Sequence, residues 1–121
     1  MRIVNPTAVL GEEIAEKFLK EKGYRIIERN FRKKYAEIDI IAIHQNTLVF
    51  IEVKTRKTDT YGSPFEAVAP WKVKHLIDLA QFYIITHKNL PDDMRIDAVG
   101  ITLSQSNEVK HIEHLENVTG F

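Results

Sequence analysis

Carboxylates set within apolar strands are the groups of this 121-residue chain best suited to chemistry. Asp39 lies in an apolar run at residues 38–43, Glu52 lies in a second run at residues 48–53, and Lys54 follows it closely. Removing a carboxylate from water costs several kcal/mol unless a cation or hydrogen bonds compensate it. Lys54 can neutralise only one carboxylate, and oxygen ligands of this kind suit Mg²⁺ or Mn²⁺. The sequence therefore predicts a site for one of these ions.

The spacing of the two runs determines whether the carboxylates meet. Both runs are rich in β-branched residues, which predicts two strands joined as a hairpin with residues 45–46 as its loop. That loop sets Asp39 opposite Glu52. It also sets Glu37 opposite Lys54, and strict alternation then places all four side chains on one face of the sheet. A four-residue loop would keep them on one face with an offset, whereas a three-residue loop would separate Asp39 from Glu52.

This pattern resembles known nuclease signatures. Asp39 followed by Glu52-Val53-Lys54 is similar to the D…(D/E)xK motif of the PD-(D/E)xK nuclease superfamily, and the chain resembles more closely the YraN-like family of small bacterial predicted endonucleases. The stretches that carry the closer resemblance are Gly11-Glu12-Glu13-x-Ala15, Glu37-Ile38-Asp39, residues 49–56, residues 62–68, Lys72 and Arg95-x-Asp97. Two positions depart from the pattern without changing a liganding group, namely Ala36, where the family usually has Gly, and Ile38, where the superfamily has Pro.

The resemblance implies a restriction-endonuclease-like fold, shared with Holliday junction resolvases, and a Mg²⁺-dependent endonuclease that cleaves DNA and leaves a 5′-phosphate. Branched DNA is one candidate substrate. Asp39 and Glu52 would hold the metal, with the Val53 carbonyl as a third ligand. Lys54 would orient the attacking water or stabilise charge on the phosphate. Glu37 would tune the site.

A glutamate of the predicted first helix is a further candidate for the site. Asn5-Pro6 is a favourable helix start, and Gly23 predicts its end. Gly11 within this helix costs about 1 kcal/mol relative to Ala, which indicates close approach of another group to the backbone. The resemblance implies that Glu12 points at the metal and binds or orients a second ion. A solvated helix glutamate is the alternative.

Charge is the observation that fits a nucleic-acid partner least directly. The chain has 17 Lys and Arg against 17 Asp and Glu, whereas nucleic-acid binders are usually basic. The first 75 residues hold 14 of the basic and 10 of the acidic residues, so one face can still be basic. Two alternatives stay open. The charge gradient along the chain is coincidental, or the basic run is a solvent-exposed loop without a binding role. The candidate phosphate contacts are Arg32, Lys33, Lys34, Arg56 and Lys72.

The remaining elements complete an α/β prediction. We expect a strand over residues 24–31, a capping box at residues 63–66, a helix over 71–86, and strands over 94–103 and 109–115. The order αβββαβ, with a further strand, predicts a mixed central sheet flanked by helices. Val73, Leu76, Ile77, Ala80 and Ile84 should form the buried stripe of the second helix.

The C-terminal region offers fewer candidates. Asp97 stands two residues from Arg95, which favours a structural ion pair. His111 and His114 would point to opposite faces of a strand and are interpreted as surface residues. We expect the tail at residues 116–121 to be poorly ordered.

Bulk properties set the remaining limits. The length indicates one domain over residues 1–121, and the absence of cysteine excludes disulfides and zinc thiolates. No apolar run is long enough for a membrane span, and no signal-peptide pattern is seen, so a cytoplasmic location is expected. A homodimer is the expected assembly if the substrate is a four-way junction, because such a junction needs two symmetric cuts. The alternative functions are a non-catalytic nucleic-acid-binding module that keeps the nuclease fold, and a structural ion-pair cluster in a partner-binding domain.

Overall fold

The structure of the protein is a computed structural model that describes residues 5–34, 36–58 and 70–119, with residues 70–72 described as backbone only. Its elements are α1 Pro6–Glu21, β1 Arg25–Lys33, β2 Ala36–His44, β3 Thr47–Lys57, α2 Pro70–Thr86, β4 Asp93–Leu103 and β5 Val109–Leu115. This order confirms the predicted αβββαβ arrangement of a restriction-endonuclease-like core, to which β5 is added. The predicted capping box at residues 63–66 lies outside the described residues.

One five-stranded mixed sheet has the order β1-β2-β3-β4-β5. The pairs β1–β2, β2–β3 and β4–β5 are antiparallel, whereas β3 and β4 are parallel. Parallel neighbours need a long crossover connection, and α2 lies in the one that joins β3 to β4. The first strand lies at the edge of the sheet, as its mixed polarity indicates.

The loop between β2 and β3 is the two-residue turn that the sequence predicts. His44 pairs with Thr47, and the φ angles of Gln45 and Asn46 are 49° and 60°. Positive φ at both central residues is typical of a type I′ turn, whose twist matches that of the flanking strands. The turn therefore fixes the β2–β3 register on which the site depends.

Helix α1 begins and ends where its capping residues predict. The Asn5 side chain accepts hydrogen bonds from the Thr7 N–H at 2.9 Å and the Ala8 N–H at 3.4 Å. Gly23 follows the helix with a φ of 91°, a conformation that glycine adopts without strain. These caps satisfy backbone groups that the helix itself leaves unpaired.

Two apolar cores lie on either side of the sheet. Buried residues of α1 pack on one face, and buried residues of α2 pack on the other. On α2, Leu76 and Ala80 are buried as predicted, but Ile84 is 36% exposed, so its assignment to the stripe was wrong. Tyr83 takes its place, because its ring packs edge-on against Phe31 and Phe50. Among the described residues, no helix is long and apolar enough to span a membrane.

A buried ion-pair network closes the side of the sheet near β5. Arg95 Nε lies 3.0 Å from Asp97 Oδ1, which confirms the predicted ion pair. His114 Nε2 lies 2.8 Å from Asp97 Oδ2, and the His114 side chain is only 5% exposed. The prediction that His114 is a surface residue was therefore wrong, whereas His111 is exposed as predicted.

The segment after β5 packs back onto the sheet. The Asn117 N–H donates to Asp97 Oδ1 at 2.9 Å, and the Val118 N–H donates to the Ile96 carbonyl at 2.7 Å. The expectation of a poorly ordered tail was thus wrong for the residues described here, up to Thr119. The polar sequence of the tail did not indicate that a backbone N–H of the tail donates a hydrogen bond to the buried Asp97.

Candidate functional site

A paired distortion of β1 and β2 sets the orientation of Asp39. Ile38 packs in the core under α2, whereas Ile40 packs in the core under α1, although residues two apart in a regular strand share a face. Asp39 lies between them. The pairs Arg29–Ile40 and Phe31–Ile38 set Asn30, whose φ is 54°, at the facing position of β1. Both strands therefore depart from regular pleating at this point, and Asp39 turns toward α1.

Three carboxylates meet where Asp39 turns. The ligand oxygens of Glu12, Glu37 and Asp39 lie within 4.8 Å of one another. They line a cleft of about 330 Å³ together with Glu52 and Val53. The cleft brings residues of α1, β2 and β3 together, so the structure places Glu12 beside Asp39 rather than on a solvated helix face.

Burial and neighbouring charge raise the pKa of Asp39 to about 8. Desolvation is the largest cause, and the carboxylate of Glu52 is the second. The Val53 N–H opposes them, because it donates a 2.7 Å hydrogen bond to Asp39 Oδ2. Glu12 and Glu37 raise the pKa further. Asp39 therefore holds a proton near neutral pH unless a cation takes its place.

The way in which Glu52 comes to line this cleft differs from the sequence prediction. Phe50 packs under α2 and Val53 under α1, so alternation places Glu52 on the Phe50 side of β3. The expectation that alternation alone puts all four side chains on one face is therefore wrong. The regular β2–β3 ladder ends at the pair Ile40–Ile51, and beyond it Glu52 lines the cleft.

Lys54 lies beside Glu52 on β3. Its Nζ is 3.5 Å from Glu52 Oε1, and its side chain is 23% exposed. The ammonium of Lys54 therefore pairs with the carboxylate of Glu52. Glu52 also lines a second, largely apolar cavity with Leu76 and Ile96. It therefore borders both this cavity and the carboxylate cleft.

Two arginines of β1 pair with carboxylates of the cleft. Arg29 lies 2.8 Å from Glu16 and 3.9 Å from Glu12. Arg32 pairs with Glu37. The sequence suggested Arg32 as a phosphate contact, and its side chain, which pairs with Glu37, is 41% exposed.

Two of the other candidate phosphate contacts, Lys33 and Lys34, lie near α2. Lys33 Nζ lies 3.4 Å from the ring centroid of Phe82 on α2, and Lys34 lines a cavity beside the same helix. The basic run is therefore divided between the two faces of the sheet, because neighbouring strand residues alternate. Arg56 buries Nε and Nη1 without a hydrogen-bond partner in the described part of the chain. The side chain of Lys72 lies outside the described residues.

Asn30 is a residue of the cleft that the sequence analysis missed. With its amide nitrogen facing the carboxylates, it donates to Glu12 Oε1 at 2.8 Å and to Glu37 Oε1 at 3.2 Å. An asparagine within a strand pattern is itself a signal, because Asn is depleted in strands and tolerates positive φ. That signal indicates an irregular strand but does not identify the contacts of the side chain.

The donor set of the cleft fits a hard divalent cation. Glu12, Glu37 and Asp39 offer only oxygen, which suits Mg²⁺ or Mn²⁺, and burial followed by the Glu52 carboxylate raises the pKa of Asp39. The Val53 N–H points at Asp39, and in a strand the carbonyl of a residue points to the same side as its N–H. The carbonyl of Val53 is therefore also directed at the cleft.

A small α/β protein with a carboxylate cleft between its first helix and its central hairpin is the class that this fold and site define. The chain belongs to the Uncharacterised protein family UPF0102, whose sequence model matches residues 11–101, and the predicted family resemblance is thereby confirmed. It is 43% identical over 107 residues to a UPF0102 protein of Caldicellulosiruptor saccharolyticus, covering 88% of this chain and 91% of the relative. A UPF0102 protein of Chlorobium phaeobacteroides is 45% identical over 112 residues, with 88% of each chain covered. One of Caldanaerobacter subterraneus subsp. tengcongensis is 38% identical over 120 residues, covering 97% and 98%.

Proposed function

We propose that this protein is a Mg²⁺- or Mn²⁺-dependent endonuclease of the PD-(D/E)xK superfamily that hydrolyses phosphodiester bonds in DNA. The observation that carries the proposal is the convergence of Glu12, Glu37 and Asp39 within 4.8 Å, in a cleft that Glu52 of the ExK motif also lines. A structural ion-pair cluster explains this arrangement poorly, because it brings three carboxylates within 4.8 Å of one another.

Each residue of the cleft has a role in this reaction. Asp39, Glu12 and Glu52 would hold the cation, with the Val53 carbonyl beside them, and Glu37 would complete or tune the set. The cation, when bound, polarises the scissile phosphate and acidifies a water. Lys54 would stabilise the charge that develops on the phosphate as the P–O3′ bond breaks, which leaves a 5′-phosphate.

The substrate and setting follow from the same chemistry. The candidates for phosphate contacts remain Arg32, Lys33, Lys34, Arg56 and Lys72. Branched DNA is the substrate we propose to test first, and a homodimer would supply the two symmetric cuts that a four-way junction requires. We place this activity in the cytoplasm.

Cleavage assays test the proposal. Supercoiled, linear and four-way-junction DNA are incubated with the protein and Mg²⁺, Mn²⁺ or chelator. Cutting should require the metal, and Asp39→Asn or Lys54→Ala should slow it by roughly 100-fold or more. Lys110→Ala is a matched control, because Lys110 is an exposed lysine on β5, and its activity should match that of the wild type.

A non-catalytic DNA-binding module is the second candidate. Two observations favour this module over a nuclease, namely the equal numbers of basic and acidic residues and the pairing of Arg32 with Glu37. Both weaken the attraction that would bring a scissile phosphate to the carboxylates. Binding of junction DNA that survives both substitutions, with no cleavage of any substrate, would support this module. Cleavage that resists chelator would reject the metal-dependent mechanism.

A further inference from the structure

We propose that Asn30 is a positioning residue that holds Glu12 of α1 and Glu37 of β2 together in the cleft. The inference rests on the proposed function only in that the two carboxylates are taken to serve a cation. It concerns how the chain keeps like charges close before any cation is bound.

A group that binds both carboxylates offsets the repulsion between two like charges at this distance. Glu12 and Glu37 repel each other, and the repulsion is stronger where water is partly excluded. The Asn30 amide nitrogen has two N–H donors. It lies 2.8 Å from an oxygen of Glu12 and 3.2 Å from an oxygen of Glu37, so one N–H can donate to each carboxylate. Hydrogen bonds to ionised acceptors are roughly twice as strong as neutral ones. The amide therefore joins an oxygen of the helix residue to an oxygen of the strand residue.

The arginines near the cleft do not replace this bridge. Arg29 lies 2.8 Å from Glu16 but 3.9 Å from Glu12, so its closer contact is away from the cluster. Arg32 pairs with Glu37. In these contacts each arginine binds one carboxylate of the cluster, whereas Asn30 binds two.

The backbone explains why this residue is an asparagine. Asn30 has a φ of 54°, in the left-handed region that Gly, Asn and Asp adopt most readily. Glycine would satisfy the backbone but has no side chain, and aspartate would add another carboxylate to the cluster. Among these three residue types, only asparagine supplies donors to the carboxylates.

The bridge should also orient the carboxylates for a cation. Hydrogen bonds to a metal-binding carboxylate fix its orientation, and such supporting contacts commonly change metal affinity by about 10–100-fold. Because Asn30 lies opposite Asp39, the same irregularity that turns Asp39 toward α1 places the amide between the other two carboxylates.

The test compares Asn30→Gly with the wild type by crystallography in chelator and by calorimetric titration with Mn²⁺. Asn30→Gly keeps the positive φ and removes the amide. Asn46→Gly is the matched control, because Asn46 also has a positive φ, of 60°, but is exposed in the hairpin turn. Asn30→Asp, studied by crystallography only, provides a second variant that keeps the side-chain shape if the glycine variant folds poorly.

We expect the carboxylates of Glu12 and Glu37 to move beyond 4.8 Å in both Asn30 variants. Mn²⁺ affinity should fall about 10–100-fold in Asn30→Gly and stay unchanged in Asn46→Gly. Carboxylates that keep their wild-type separation, or an unchanged Mn²⁺ affinity in Asn30→Gly, would overturn the inference and leave the proposed function intact. A wild-type protein that binds no Mn²⁺ would instead reject the proposed function, and the metal-free crystal structures would still decide the role of Asn30.

Discussion

The Val53 backbone N–H donates a 2.7 Å hydrogen bond to the carboxylate of Asp39. This bond lies just beyond Ile40–Ile51, the last regular pair of the β2–β3 ladder. The Asp39 side chain therefore accepts a hydrogen bond from a backbone N–H that faces the neighbouring strand. It stabilises the charged form of Asp39, but burial and the nearby carboxylates have the larger effect on the pKa. The consequence is a buried acid whose charge depends on what else occupies the cleft.

The first prediction concerns the stability of the protein without metal. The folded pKa of Asp39 is about 8, above the value of about 3.9 expected for an unfolded chain. Between these values the folded state binds more protons, so the free energy of unfolding should fall as pH rises. Asp39→Asn mimics the neutral acid. In chelator at pH 8.5 it should therefore be more stable than the wild type, by on the order of a few kcal/mol.

Urea unfolding at pH 5 and pH 8.5 provides the measurement. The advantage of Asp39→Asn should be small at pH 5, where the wild-type acid is already protonated. Asp92→Asn, which alters an exposed aspartate, should show no such pH-dependent gain. An Asp39→Asn protein that is less stable than the wild type at pH 8.5 would contradict the assigned environment.

The second prediction concerns the pH dependence of metal binding. A cation must displace the proton of Asp39, because only the ionised carboxylate is a good ligand. Mn²⁺ affinity should therefore rise by up to about tenfold per pH unit below pH 8 and level off above it. Calorimetry in buffers of different ionisation enthalpy should detect the released proton. An affinity that is constant from pH 6 to pH 9 would argue against Asp39 as a ligand.

The third prediction concerns the contact between α1 and β3. A Cβ atom on Gly11 would lie 1.7 Å from Thr55 Oγ1, which is far inside van der Waals contact. Gly11→Ala should destabilise the protein, because overpacking costs about 1–3 kcal/mol and exceeds the gain of about 1 kcal/mol in helix propensity. Mn²⁺ affinity should also fall, since Glu12 is the next residue of the helix.

A second substitution distinguishes this contact from a general helix defect. Thr55→Gly removes the clashing side chain, so the double variant with Gly11→Ala should recover part of the stability lost in urea unfolding. Lys17→Ala changes an exposed residue of the same helix and should alter stability by no more than about 0.5 kcal/mol. Equal stability of Gly11→Ala and the wild type would show that α1 does not need this close approach.

The fourth prediction concerns Asp97. Burial disfavours its charged form, but hydrogen bonds from His114, the Asn117 N–H and Arg95 outweigh burial and lower the pKa of this carboxyl. Its contribution to stability is therefore present above the unfolded pKa of about 3.9 and is lost as pH falls below that value. Asp97→Asn should cost about 3–5 kcal/mol at pH 7, because it leaves buried partners uncompensated.

Urea unfolding across pH 3 to 7 tests this role. The difference between the wild type and Asp97→Asn should narrow below pH 4, where the carboxyl of the unfolded wild-type chain takes up a proton while the folded one is still ionised. Asp93→Asn, an exposed aspartate at the start of β4, serves as the control and should have little effect at any pH. A pH-independent cost of Asp97→Asn would indicate lost packing rather than lost charge.

Local patterns were sufficient to predict most of the fold. The cap at Asn5, the stop at Gly23 and the turn at residues 45–46 depend on neighbouring residues only, and all three are as predicted. The close approach at Gly11 was also inferred correctly, although only the structure identifies Thr55 as the partner. These features follow from backbone conformation, which the residue type constrains directly.

The site was harder to predict because it depends on an irregularity. Strict alternation would place Asp39 with Ile41 on the α2 side, but the distortion opposite Asn30 turns it toward α1. Likewise, the burial of His114 depends on Asp97, which is distant in sequence. Periodicity describes regular strands, so it misses residues whose positions depend on a bulge or on a partner from another element.

The metal site itself can be located by crystallography of the protein grown with Mn²⁺, because anomalous scattering reveals the ion without reference to activity. We expect an anomalous peak in the cleft with oxygen ligands from Asp39 and at least one of Glu12, Glu37 and Glu52, and no such peak in Asp39→Asn. A Mn²⁺ ion bound elsewhere, or an empty cleft at millimolar Mn²⁺ above pH 8, would contradict this expectation.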